Sequence, residues 1–151
     1  MTTQRSSLMI AVLFPVWLDG TTVKYYVPSG EKLKLNADSY AMFYNLQKLI
    51  STDESNIDTT CVTDMSAMFE NCMALETLDL SSFDTSNVTS MKSMFGSCTS
   101  LTTIYVSSTK WSTAKLTTSD YMFSGTTNLT AGSNTISFTD STGNTGYLTK
   151  K

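Results

Sequence analysis

The chain has 151 residues, 15% of them charged, a net charge of −3 and no histidine. That balance leaves no basic footprint for neutralising phosphates and so excludes nucleic acid as a partner, while the missing histidine removes the commonest general base and zinc ligand and weighs against hydrolases and metalloenzymes. Serine and threonine make up about a third of the chain, well above ordinary usage, a polarity without charge that suits turns and strand faces in water.

In chain order, the apolar run over residues 8–18 is too short to span a bilayer as a helix, so no membrane span is expected. It has the composition of a signal-peptide core behind Arg5, but Pro15 inside it and the lack of a small-x-small cleavage site favour a buried strand. Residues 16–18, Asp19-Gly20 and residues 23–27 read as a hairpin, and residues 31–36 alternate polar and apolar as a further strand. Residues 1–36 thus read as an N-terminal β cap.

From residue 37 the chain repeats itself. Met42-Phe43 with Leu49, Met68-Phe69 with Leu75, Met94-Phe95 with Leu101 and Met122-Phe123 with Leu129 recur at intervals of 26, 26 and 28 residues. A fixed period of this length signals units that bury their apolar faces by stacking on one another. Within a unit, Met65, Met68, Phe69, Cys72 and Leu75 fall at helical spacing, which predicts a short helical turn, with Thr63, and later Thr89 and Thr117, as N-caps. Residues 75–80 and 101–106 follow as strands, and the turns after them carry Phe83 and Trp111, in line with Ile57. The first unit departs from this, with Thr52 and Glu54 where the next has Leu78 and Leu80, which predicts a short or irregular strand. Strands recurring once per unit in one direction should form a parallel sheet.

The expected fold is therefore an α/β repeat: a short leucine-rich-repeat-type solenoid with parallel strands on one face, helical turns on the other and β-hairpin caps. Residues 37–130 form about four units, and residues 131–151, with strand-like runs at 135–138 and 147–148 about a Gly-rich turn, form a C-terminal β cap. One structural domain is expected overall.

The run Phe69-Glu-Asn-Cys-Met-Ala-Leu-Glu-Thr-Leu-Asp-Leu-Ser-Ser-Phe-Asp-Thr-Ser-Asn-Val-Thr-Ser-Met-Lys-Ser-Met-Phe95 closely resembles the repeat of BspA-like leucine-rich-repeat surface proteins, also met in mycoplasma-type lipoproteins. Residues 101–106, 111–113 and Met122-Phe123 resemble that family's final unit, and the likeness covers about residues 39–130. The resemblance implies a bacterial protein at the cell surface or outside the cell, without catalysis or cofactor, binding a protein or glycan on a host or bacterial surface through its repeats. Such proteins are commonly long, with a signal sequence and an anchor. An excised domain, a small secreted relative, or a structural or virion-associated binding protein carried by a phage or other mobile element are the readings open for this chain, and its oligomeric state is unspecified.

If Leu75, Leu78 and Leu80 point inward, Thr77, Asp79 and Ser81 face solvent. Stacking then brings Thr103, Tyr105 and Ser107 beside them, with Asp53 on the other flank. These seven residues are the candidate binding face, because tyrosine supplies rigid area and hydroxyls adaptable hydrogen bonds; the plainer reading is a solvated strand surface. No catalytic, cofactor or metal residues are identified. Asp53 and Asp79 lack the further oxygen ligands that calcium needs. Cys72 and Cys98 lie one repeat apart, close enough in principle for a bond, but small buried thiols are the simpler reading. Trp111 reads as a core plug, the methionines as core filler, and the sequons at Asn87 and Asn128 as turn asparagines.

Overall fold

A computed structural model describes residues 16–25, 29–52 and 54–151. Among the described residues there are eight strands: β1 Val16–Asp19, β2 Thr22–Tyr25, β3 Leu33–Lys34, β4 Ile57–Asp58, β5 Thr77–Leu80, β6 Thr103–Val106, β7 Thr135–Thr139 and β8 Thr145–Lys150. They form two two-stranded sheets, β1-β2 antiparallel and β3-β4 parallel, and one four-stranded sheet in the order β5-β6-β8-β7. Of the apolar run at the start, residues 8–15 lie outside the described residues, while residues 16–18 begin β1.

Among the described residues there is no helix, which corrects the expected α/β leucine-rich-repeat solenoid with helical turns: the fold is β-rich. The segments around each Met-Phe pair are successive tight turns. Two positions in every unit take left-handed backbone: Ala41 and Asn45, Ala67 and Asn71, Ser93 and Ser97, Tyr121 and Gly125, the seven non-glycines with φ between 54° and 61°. A right-handed helix cannot accommodate them, since left-handed geometry brings Cβ against the following carbonyl. Their reward is edge pairing. In the second unit the amides of Met65, Ala67, Phe69 and Asn71 donate to the carbonyls of Ser90, Lys92, Met94 and Gly96 in the third, at 2.8–2.9 Å. The amides between them close local turns, Met68 onto Met65, Glu70 onto Ala67 and Cys72 onto Phe69. Isolated parallel bridges link Asp38, Asp64, Ser90 and Thr118 in series, so that units lie side by side at the spacing of the repeat. The threonines taken as N-caps do something else: the hydroxyls of Thr63, Thr89 and Thr117 donate back to the carbonyls of Ala37, Thr63 and Thr89.

Like residues pile on like. The rings of Phe43, Phe69, Phe95 and Phe123 stack face to face at centroid separations of 5.1, 6.1 and 5.7 Å, and Phe138 meets the last edge-on at 6.3 Å. Met42, Met68, Met94 and Met122 form a second buried column, and Leu49, Leu75, Leu101 and Leu129 a third. The thiols of Cys72 and Cys98 are free and buried, and each donates to the carbonyl of the preceding unit's phenylalanine, Phe43 and Phe69, at 3.1 Å. Thr126, which breaks the cysteine pattern, performs the same task with its hydroxyl on Phe95. Burial pushes both thiols up to about 12, so they stay protonated and able to donate. A polar column also fits the core: buried Thr59 donates to the Asp84 carbonyl and accepts its amide, and Thr85 does the same with Ser112.

The stack ends by substitution. In the first three units the phenylalanine amide donates to a methionine carbonyl of the next unit; Phe123 instead donates to the Asp140 carboxylate at 3.2 Å, and Tyr121 to the Thr142 hydroxyl at 2.9 Å. Both acceptors sit at the tip of the β7-β8 hairpin. The Asp140 carboxylate is held in turn by the amides of Thr142 and Asn144 at 3.0 and 2.9 Å. Gly146 makes the fit possible, since a Cβ there would lie 2.2 Å from the Phe123 ring. Beyond the tip, β8 runs parallel to β6, pairing Ile104 with Leu148, and so occupies the lateral position that the strand of another unit would take. The longer third interval, 28 residues, is taken up at one corner: Val106 and Trp111 are five positions apart where Leu80 and Phe83 are three, and the extra residues fall in the turn after β6.

Candidate functional site

Strands β5 and β6 are parallel and in register, Thr77 with Thr103, Leu78 with Ile104, Asp79 with Tyr105 and Leu80 with Val106. Alternation buries Leu78, Leu80, Ile104 and Val106 completely and turns Thr77, Asp79, Thr103 and Tyr105 outward. Ser81 and Ser107 follow directly at the same end of the two strands. Six of the seven residues expected on this face are thus brought together; Asp53 lies outside the described residues. Among the described residues the first unit has no strand beside β5: Ser51 carries an isolated bridge, and Glu54 is buried where the second unit has Leu80.

The flank that the sequence left empty is filled by β8. Its register places Thr149 beside Tyr105, and Thr135 of β7 beyond it, so that one row crosses the sheet as Asp79, Tyr105, Thr149 and Thr135. Lys151 follows β8 and reaches back over this row. Its Nζ lies 4.1 Å from the centroid of the Tyr105 ring and makes an ion pair and hydrogen bond with Asp79 Oδ2. The other carboxylate oxygen, Oδ1, accepts the Ser81 amide at 3.0 Å. Partial burial pushes the Asp79 carboxyl up, but the bonds from Lys151 and Ser81 outweigh it and hold the group below the usual carboxylate range. Ser107 is engaged in the adjoining turn, where its oxygen accepts the Lys110 amide at 3.0 Å.

Sequence reasoning missed Lys151 and Thr149, since neither belongs to a repeat. The signal that could have found them is the alternation in residues 145–150, with Leu148 inward and Thr149 outward, carried on to Lys151. The expectations for Trp111 and for the two sequon asparagines have plain outcomes. Trp111 is half-buried against the core, and the amides of Asn87 and Asn128 donate to the carbonyls of Thr60 and Thr99, one unit back. Among the described residues no cluster of three or more His, Cys, Asp or Glu side chains is placed to hold a metal ion, and no helix is long and apolar enough to cross a membrane.

The family model described as "Mycoplasma protein of unknown function, DUF285" matches residues 37–146, well over half of the chain and all of the stacked units. No curated protein and no solved structure was found to match.

Proposed function

The chain belongs to that family, one of the BspA-like and mycoplasma repeat kind, and from this premise we propose that it is a non-catalytic binding module displayed at or beyond a bacterial cell surface. It contacts a protein or glycan on a host or bacterial surface through the outward side of β5, β6 and β8. The observation that carries this reading is the in-register placement of Asp79 beside Tyr105, with Thr77, Thr103 and Thr149 around them, on the side of the sheet opposite buried Leu78, Leu80, Ile104, Val106 and Leu148. A rigid aromatic set among short hydroxyls and one carboxylate suits recognition by surface contact, because little side-chain entropy is lost when such a face is covered. A chain without histidine also lacks the residue most often used as a general base.

Immobilised parent chain and a Tyr105→Ala/Asp79→Asn variant, offered the same host and bacterial surface extracts and then the purified captured partner, test the face. The double variant should bind that partner at least about tenfold more weakly, as hot-spot truncations at interfaces do. Equal affinity for parent and variant would place the contact elsewhere.

A further inference from the structure

We propose that the Asp79 carboxylate and the Tyr105 ring together form a recognition site for a lysine side chain of a partner protein, with Lys151 as an intramolecular stand-in that the partner's ammonium displaces. This rests on the reading of the β5-β6-β8 side as the binding face, and it specifies what that face takes.

The chemistry is read from the group already there. An alkylammonium touches two features that attract a cation for different reasons, the charge of Asp79 Oδ2 and the negative face of an aromatic ring. Both are positioned without Lys151. Asp79 and Tyr105 are fixed beside each other by the strand register, and the Ser81 amide on Oδ1 keeps Oδ2 turned outward. With Oδ1 already bonded to the Ser81 amide, Oδ2 is the more open oxygen, which suits the compact ammonium of lysine better than the two-pronged guanidinium of arginine.

Lys151 is suited to leaving. Its side chain is 45% exposed and that of Asp79 42%, and water solvates both partners of such a pair well enough that little holds them together. Its backbone remains anchored when the side chain swings away, because its amide donates to the Val106 carbonyl at 2.9 Å and its carbonyl accepts the Ser108 amide at 3.0 Å. Displacement therefore exchanges one ammonium for another while β8 stays in the sheet.

The test uses Nα-acetyl-lysine methylamide as probe, followed through the amide and ring resonances of the isotopically labelled full chain. In a Lys151→Ala variant the probe should produce saturable shifts centred on Asp79, Tyr105 and Ser81. The parent should need about fivefold more probe, the competition expected of an exposed ion pair. A Lys151→Ala/Asp79→Asn variant should lose the response, and the Nε-acetylated probe, which carries no charge, should give none. Absence of saturable shifts in Lys151→Ala, or an equal response in the double variant, would overturn the proposal. If the probe fails while partner capture still depends on Tyr105 and Asp79, the face stands and the cation site falls. Probe binding without any captured partner would leave the site standing and remove the surface role.

Discussion

The second and third units and the C-terminal hairpin solve one problem in two ways. Between units, the edge amides of one turn meet the carbonyls of the next, and phenylalanine stacks on phenylalanine. At the hairpin the same amides meet side chains, Asp140 for Phe123 and Thr142 for Tyr121, and the aromatic column closes on Phe138 edge-on. A stack of repeats can thus be ended without a degenerate further unit. Oxygen acceptors at the right height are enough, provided that glycine at 146 leaves room for the last ring.

The comparison breaks most readily in the interior. Phe69 is fully buried between two rings, at 5.1 Å from one and 6.1 Å from the other, so Phe69→Ala should cost about 3–5 kcal/mol in denaturant unfolding. Half-buried Phe138, with an edge contact only, should cost clearly less on the same replacement; equal costs would show that the hairpin is coupled as tightly as the units.

Asp140→Asn probes the ending itself and should cost about 1.5–3 kcal/mol, the range for hydrogen bonds to a charged group. Burial pushes the Asp140 carboxyl up, but the amides of Asn144 and Phe123 and the hydroxyl of Thr142 prevail and hold it below the usual range. A carboxyl lowered by folding contributes its full stability above its unfolded value, about 3.9, and loses that contribution as pH falls through its folded value. The parent should therefore weaken below about pH 4, and Asp140→Asn should weaken less steeply, by one group's share, in unfolding curves taken across that window.

The smallest effect is expected where the chain has already made the substitution. Cys98→Thr copies Thr126 and should change stability by less than about 0.5 kcal/mol, whereas Cys98→Val, which leaves the Phe69 carbonyl with the Cys72 amide alone, should cost about 0.5–1.5 kcal/mol. With both buried thiols held protonated, a thiol reagent should modify exposed Cys61 alone in the folded chain and all three cysteines in denaturant.

The repeat period, the places of β5 and β6 and their inward leucines were legible because alternation and a fixed interval are direct records of stacking. Helix was the wrong reading of residues 65–75 for a physical reason. Consecutive tight turns also return the chain to one side every three or four residues, so Met65, Met68, Phe69 and Cys72 satisfy either geometry. The deciding variable, a left-handed backbone, leaves no mark at Ala67 or Ser93, which are neither glycine nor asparagine, and within residues 65–75 only Asn71 carries a hint of it. The threonines at 63, 89 and 117 misled likewise, since a hydroxyl that caps a helix and one that donates to the neighbouring unit have the same sequence signature. At the candidate face, local alternation gave the outward residues of β5 and β6. It could not give Lys151, whose place beside Asp79 depends on how a hairpin 72 positions away docks.

The corner after β6 has a use of its own. Two additional residues enter the coil there without shifting β6, the turn columns or the ring stack on either side. Length is absorbed at that corner and nowhere propagated, which marks exposed Thr109, between the anchoring bonds of Ser108 and Lys110, as a port for a grafted epitope or fluorophore loop, set at the rim of the row formed by Asp79 and Tyr105.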